Sequence, residues 1–136
     1  GLSIKICYNI KKLALLDSAK KKIAFLKFIV HKLNLTNVTF LYGRVEDYGQ
    51  NIDYKDKFDV VFARAFARLK VCTEVALPFV KKGGLLVFQK GINVFDEISG
   101  EESNIEELGG KLEKIKEIKI PFLNQTRHLV IIKKIK

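Results

Sequence analysis

Four apolar runs of the sequence each end in a charged residue, in two cases beside a glycine. The runs end in Asp17, Gly43-Arg44, Arg64 and Lys90-Gly91. A carboxylate accepts hydrogen bonds from hydroxyl groups, and cations bind phosphate groups. Glycine lets a ligand approach the backbone closely. Residues of these types suit the recognition of a nucleoside or of a nucleic acid.

The elements that must position these residues are short strands that alternate with helices. Apolar and β-branched runs predict strands at 12–17, 38–43, 58–64, 85–89, 112–122 and 128–135. A helix is expected from an N-cap at Ser18 to about Leu35, with Ile23, Leu26, Val30 and Leu33 on its apolar face. A second helix is expected over 69–80, ended by Gly83-Gly84, and an acidic, exposed one over 95–112, broken at Gly109-Gly110.

This order predicts an α/β fold with a mainly parallel sheet and helices on both faces. The last two strands follow each other without a helix, so they should pair antiparallel. The run at 58–64 is nearly all apolar, as expected for a strand covered on both faces. Neither an internal repeat nor a linker is present, and we expect one domain over residues 1–136.

In such sheets a ligand binds outside the carboxyl ends of the strands, where the four chemically reactive groups should lie. Asp17 could accept hydrogen bonds from ribose hydroxyls, or it could cap the following helix with Ser18. Arg64 closes an apolar strand, so it should bind a ligand or pair with an acid such as Asp59 or Glu46. Lys90 could meet RNA phosphate, or it could be an ordinary exposed lysine.

Composition favours a polyanionic partner and a reducing compartment. Lys and Arg number 25 against 15 Asp and Glu, a net charge of +10, and such an excess promotes binding to phosphate backbones. Two separated cysteines and two histidines predict no metal site. No apolar run reaches the roughly 20 residues of a membrane span, and no signal peptide opens the chain. We therefore expect a cytoplasmic protein, and we take it to be a monomer, although no feature of the sequence determines the oligomeric state.

Methionine is absent, including at position 1, which favours Gly1 as an internal position of a longer chain. The acid that binds ribose in Rossmann-type sites stands about 20 residues after a glycine-rich loop. Asp17 would place that loop just before Gly1. The first strand and the glycine-rich loop are therefore expected to lie outside these 136 residues.

Taken together, the motifs resemble the bacterial small-subunit ribosomal RNA methyltransferase G family, also called glucose-inhibited division protein B. The resemblance covers essentially the whole chain. It is carried by motifs that occur in this order: Leu15-Leu16-Asp17-Ser18, Lys21-Lys22, Phe25-Leu26, Gly43-Arg44-Val45-Glu46, Ala63-Arg64-Ala65, Lys90-Gly91 and Arg127-His128-Leu129-Val130. Residues 1–6 resemble the segment that follows the family's glycine-rich loop.

The resemblance implies a Rossmann-like class I fold and methyl transfer from S-adenosylmethionine to N7 of a guanine in 16S ribosomal RNA. Asp17 and Ser18 would then hold the ribose, and Val45, Glu46 and Arg64 would contact the cofactor. Arg44, Lys90 and Gly91 would face the RNA or the reacting base, and the partner would be 16S RNA or the small ribosomal subunit. No general base is assigned, because guanine N7 already carries a free lone pair.

Two other functions remain open from the sequence. One is a methyltransferase of the same fold that acts on a small molecule or a protein. The other is a non-catalytic fragment that binds RNA through its lysines and fails to hold the cofactor. The net charge and the cationic strand ends favour RNA as the substrate.

Overall fold

The computed structural model describes residues 2–64, 67–91 and 93–136, and the strands occur in the predicted order, preceded by a short helix over Leu2–Cys7 that was not predicted. They form two compact units, residues 1–48 and 49–136. The prediction of one domain over residues 1–136 stays a prediction. The helices and strands are, in chain order, α1 (Leu2–Cys7), β1 (Leu13–Asp17), α2 (Lys20–Lys32), β2 (Val38–Tyr42), α3 (Val45–Gly49), β3 (Phe58–Arg64), α4 (Leu69–Ala76), β4 (Val80–Lys90), α5 (Val94–Ile98), α6 (Glu102–Glu107), β5 (Gly110–Lys119) and β6 (Thr126–Lys134).

The first unit is built on β1 and β2, which pair in parallel from Leu13 opposite Val38 to Asp17 opposite Tyr42. The helix between them, α2, buries Ile23, whereas Leu33 of its predicted apolar face is 49% exposed. The helix ends before 35 because Asn34 takes a left-handed conformation, with φ of 52°, and such a residue stops a helix. Because β1 and β2 pair in parallel, their carboxyl ends lie at the same edge of this two-stranded sheet.

The predicted cap at Ser18 is wrong. Helix α2 begins at Lys20, its cap position is Ala19, and no side chain caps it from there. Instead, Oδ1 of Asp17 accepts a hydrogen bond from the Ala19 amide at 2.8 Å. The acid at the strand end therefore fixes the start of the helix, because a carboxylate two residues ahead can reach this amide.

The second unit is a four-stranded sheet in the order β3-β4-β6-β5. Strands β3 and β4 run parallel, and β6 lies antiparallel to both β4 and β5, which confirms the predicted reversed closing strand. The core packs α4, α5 and α6 against one face of the sheet, with Phe88, Leu86 and Ile132 among the fully buried side chains. Strand β3 is an edge strand of this sheet, and its Val60 and Phe62 are 40% and 53% exposed.

The prediction that both faces of β3 are covered is therefore wrong. The predicted bounds of two helices are wrong as well. Helix α4 ends at Ala76 and a short 3-10 turn follows, because Pro78 has no amide hydrogen for a helical bond. Strand β4 then begins at Val80 and runs through the two glycines that were expected to end the helix.

The acidic helix expected over 95–112 is two short helices, α5 and α6. They are separated near Gly100, whose φ of +87° is strained for any other residue. Val94, Ile98 and Ile105 are buried, so these helices belong to the core rather than to an exposed face. Strand β5 begins at Gly110, earlier than predicted.

Candidate ligand site

The carboxyl ends of β1 and β2 bring the first group of predicted residues together. Asp17 stands opposite Tyr42 in the register, and its carbonyl accepts a hydrogen bond from the Gly43 amide at 3.1 Å. Gly43 has φ of +144°, so it turns the chain where a side chain would be strained. Arg44 follows it, and α3 begins at Val45.

Asp17 has the geometry of a hydroxyl acceptor. Asp17 is half-buried as a residue, and its Oδ1 accepts the hydrogen bond of the Ala19 amide. Within the part of the chain that the structure describes, Oδ2 has no hydrogen-bond partner. A carboxylate can accept about four hydrogen bonds, so this oxygen remains available to a ligand such as a ribose hydroxyl.

The neighbours of Asp17 complete this edge of the first unit. Ser18, Arg44 and Glu46 are exposed, and Val45 is half-buried. The turn is stabilised by a hydrogen bond from the hydroxyl of Tyr48 in α3 to the carbonyl of Tyr42, at 2.8 Å. The edge therefore offers a carboxylate, a hydroxyl, a guanidinium and a half-buried apolar side chain on a fixed backbone.

The second unit contains the other predicted residues, Arg64, Lys90 and Gly91, at the carboxyl ends of β3 and β4. Arg64 is exposed and pairs with Gln89 in the strand register. Among residues 2–64, 67–91 and 93–136 it has no ion pair. The predicted motif around Arg64 continues into Ala65, which lies outside the described residues, as does Gly1 of the segment 1–6.

Asp59, the alternative partner suggested for Arg64, is engaged elsewhere. Its carboxylate forms an ion pair with the Lys81 ammonium. The hydrogen bond and the charge of Lys81 lower the pKa of the Asp59 carboxyl below its ordinary value. Arg64 is therefore available to a ligand rather than committed to this acid.

Lys90 differs from Arg64, because its ammonium already has acceptors inside the protein. It donates to both carboxylate oxygens of Glu97, at 2.7 and 2.9 Å, and to the carbonyl of Ala67 at 2.9 Å. The Lys90 side chain is only 11% exposed. Its role as a contact to RNA stays a prediction. In this structure the ammonium binds acceptors on Glu97 and Ala67 instead.

Two residues that the sequence reasoning did not assign complete this strand end. Glu97 of α5 is the partner of Lys90, and His128 of β6 binds the carbonyl of Gly91 through Nδ1 at 2.9 Å. His128 is 4% exposed, and Phe95 packs edge-on against its ring. Neither pairing had a signal in the sequence, because Glu97 and His128 reach Lys90 and Gly91 through tertiary packing.

Two cavities of the described residues lie away from these strand ends. A cavity of about 320 Å³ in the first unit lies at the amino ends of β1 and β2, lined by Lys12, Asn37, Val38 and Thr39. A cavity of about 410 Å³ in the second unit includes Lys134, at the opposite end of β6 from His128. We therefore place the candidate site by strand polarity and chemistry, since ligands of open α/β sheets bind at the carboxyl ends.

Within residues 2–64, 67–91 and 93–136, no group of three or more His, Cys, Asp or Glu side chains could hold a metal ion. None of the helices described is long and apolar enough to cross a membrane.

Comparison with known proteins identifies the family. The family model described as rRNA small subunit methyltransferase G matches residues 1–130. The chain belongs to this family. A Ribosomal RNA small subunit methyltransferase G from Thermoanaerobacter pseudethanolicus is 42% identical over 134 residues, which are 98% of this chain and 56% of that protein. A protein of the same name from Lactobacillus acidophilus is 44% identical over 136 residues, which are 100% of this chain and 57% of that protein.

The chain therefore spans a little over half the length of these methyltransferase G relatives. Solved structures agree on the fold. M. jannaschii TYW2 in complex with AdoMet superposes with a TM-score of 0.66 at 17% identity, over 93% of this chain and 60% of that one. An rRNA methylase from Streptococcus thermophilus has a TM-score of 0.65 at 12% identity, over 93% of this chain and 75% of that one. The predicted class I methyltransferase fold is confirmed.

Proposed function

We propose that this chain is the greater part of an S-adenosylmethionine-dependent methyltransferase domain that modifies N7 of a guanine in 16S ribosomal RNA. The observation that carries the proposal is the carboxylate of the half-buried Asp17 at the carboxyl end of a parallel strand, where Oδ2 has no hydrogen-bond partner among the described residues. Membership of the rRNA small subunit methyltransferase G family supports the substrate, as does the net charge of +10.

The residues of the first unit fit a nucleoside cofactor. Asp17 would accept hydrogen bonds from the ribose hydroxyls, assisted by Ser18, and Val45 and Glu46 would line the adenine. Arg64 of the second unit is proposed as a further cofactor contact, because no acid among the described residues neutralises it. Arg44 and Gly91 are proposed to face the RNA, where a guanidinium can grip phosphate or guanine O6.

The chemistry requires positioning rather than proton removal. When bound, S-adenosylmethionine would supply an electrophilic methyl group; the lone pair of guanine N7 would form the new carbon–nitrogen bond while the methyl carbon–sulfur bond breaks and its electron pair stays on sulfur. The protein must hold the reacting atoms in line, which the fixed strand ends are suited to do. Cations near N7 would oppose its growing positive charge, so we place Arg44 against phosphate or O6. The proposal includes a monomeric, cytoplasmic protein.

Methyl transfer to RNA tests the function directly. The chain, alone and joined to the remaining residues of the Thermoanaerobacter relative, is incubated with methyl-labelled cofactor and, in parallel samples, with small ribosomal subunits that lack the mark, with a metabolite pool or with a protein pool. We expect label at one guanine N7, located by chemical cleavage of the RNA at that base. Label only in a metabolite or protein pool would support the small-molecule or protein alternative, and RNA binding without transfer would support the non-catalytic one.

Substitution of Asp17 tests the cofactor site. Asp17→Asn keeps an oxygen for the Ala19 amide but loses the charge and one acceptor, so affinity for S-adenosylmethionine should fall by about tenfold to a hundredfold. Isothermal titration of the joined chain measures it. Asp47→Asn, which neutralises an exposed acid of α3, is the matched control and should change affinity by less than about twofold. Equal affinities in the two variants would assign the site to a different nucleotide.

A further inference from the structure

The ammonium of Lys90 has one protein acceptor for each of its three hydrogens. The acceptors are Oε1 and Oε2 of Glu97 and the carbonyl oxygen of Ala67, all between 2.7 and 2.9 Å from Nζ. Since an ammonium group carries three donors and no acceptor, none is left for a ligand. With 11% of its side chain exposed, Lys90 is an internal cation rather than a free one.

Glu97 joins this cation to the start of helix α4. Besides Lys90, its Oε1 accepts a hydrogen bond from the Leu69 amide at 2.5 Å. Leu69 is the first residue of α4, and the first amides of a helix have no partner within the helix. The Glu97 carboxylate supplies that partner from a residue 28 positions away, through a charge-assisted bond.

Lys90, Glu97 and His128 fix the exits of β3 and β4, that is, the segments of chain that follow these two neighbouring strands. Lys90 ends β4, and its bond to Ala67 reaches the segment that follows β3 and Arg64. On the other side of β4, His128 fixes the carbonyl of Gly91. The strand ends that carry Arg64 and Gly91 are thus held by the buried side chain of His128 and the largely buried side chain of Lys90.

We infer that Glu97 is a positioning residue: through Lys90 and the Leu69 amide it fixes the exits of β3 and β4, and Lys90 makes no contact with RNA. The inference rests on the proposed function where it concerns RNA. It replaces the direct role that the sequence predicts for Lys90 with an internal one. Its consequence is that removal of the Glu97 carboxylate weakens RNA binding without changing how many phosphates the protein binds.

Hydrogen exchange of the Leu69 amide tests the internal network without RNA. In the 136-residue chain, Glu97→Ala should speed exchange of this amide by about tenfold or more, because the amide loses its acceptor. Glu97→Gln keeps a carbonyl oxygen and should restore part of the protection. Asp96→Ala, which removes a neighbouring exposed acid of α5, should leave the rate unchanged. Equal exchange in Glu97→Ala and Asp96→Ala would overturn the inference.

Salt dependence of RNA binding tests the role of Lys90. The slope of log affinity against log salt becomes shallower by about 0.7 for each phosphate of a single strand that the protein no longer neutralises. With a 16S RNA fragment, Lys90→Met should keep the slope of the unsubstituted chain, and Glu97→Ala should bind severalfold more weakly at the same slope. If Lys90→Met does not fold, Lys90→Met/Glu97→Gln, which leaves no unpaired charge, takes its place. Lys82→Met, at an exposed position of β4, controls for the removal of one lysine charge.

Failure of this inference and failure of the proposed function give different results. A shallower slope in Lys90→Met would show that Lys90 grips phosphate, and unchanged or tighter RNA binding by Glu97→Ala would show that its carboxylate does not position the strand ends; either result would overturn the inference. Absence of any RNA binding by the unsubstituted and the joined chain would overturn the proposed function instead. In that case the exchange of the Leu69 amide still decides the part of the inference that concerns position.

Discussion

Phe88→Ala is expected to lower the free energy of unfolding by about 3–5 kcal/mol, the usual cost of truncating a buried phenylalanine. Phe88 is fully buried at the centre of the second unit. It stands between Ala63 on β3 and Val130 on β6 in the strand register, so a cavity there is closed in by paired backbone. Relaxation into the space is limited, because the ladders on both sides fix the strand.

Urea unfolding followed by circular dichroism measures the effect. With a denaturant slope of about 1–3 kcal/mol per molar, the midpoint should fall by more than about 1 M. Phe122→Ala is the matched control, because Phe122 is fully exposed and its truncation should change stability by less than about 0.5 kcal/mol. A midpoint for Phe88→Ala equal to that of the control would show that the second unit is not packed around this ring.

The strands were the most predictable part of the fold. The run at 58–64 was predicted with the bounds that β3 has, and the ends of β1, β2 and β6 differ from prediction by one or two residues. Apolar runs bounded by polar residues are a local signal, so they locate strands well. Exposure of Phe62 was not predictable in this way, since it depends on which elements flank the strand in space.

The helix boundaries depended on single residues that an apolar period does not record. Pro78 and Gly100 each interrupt a run that otherwise has helical character. Both interruptions have a local cause, a missing amide hydrogen in one case and a left-handed backbone in the other. The ends of α4 and α5 would have been predictable from the sequence if this proline and this glycine had been treated as helix ends.

The candidate site was predictable where strand polarity determines it. Asp17 lies at the carboxyl end of β1 as expected, next to Gly43, because parallel pairing follows from the order of elements. The partners of Lys90 and Gly91 were not predictable, since Glu97 and His128 reach them through tertiary packing across 7 and 37 residues. Sequence spacing shows that a charge stands at a strand end, and the fold determines whether that charge is already paired.

Gly84→Ala is expected to destabilise the protein by about 3 kcal/mol, at the upper end of the usual cost of adding a methyl group to a packed site. Between the pairs Phe58–Val80 and Val60–Leu85, β4 has four residues where β3 has one, so the longer strand bulges. A Cβ atom at Gly84 would lie 2.6 Å from the carbonyl oxygen of Asp59 and 2.9 Å from that of Lys81. Glycine is needed here because two backbones approach closely.

The adjacent glycine provides the control. Gly83 has φ of +83° and nothing within 4 Å of an added Cβ, so Gly83→Ala should cost only about 1 kcal/mol of backbone strain. Urea midpoints of the two variants measured side by side separate overlap from strain. Because both oxygens at Gly84 belong to the backbone, no side chain can rotate away to relieve the contact. Equal midpoints would therefore mean that β3 and β4 separate at this bulge, and that the close approach does not hold β3 in register.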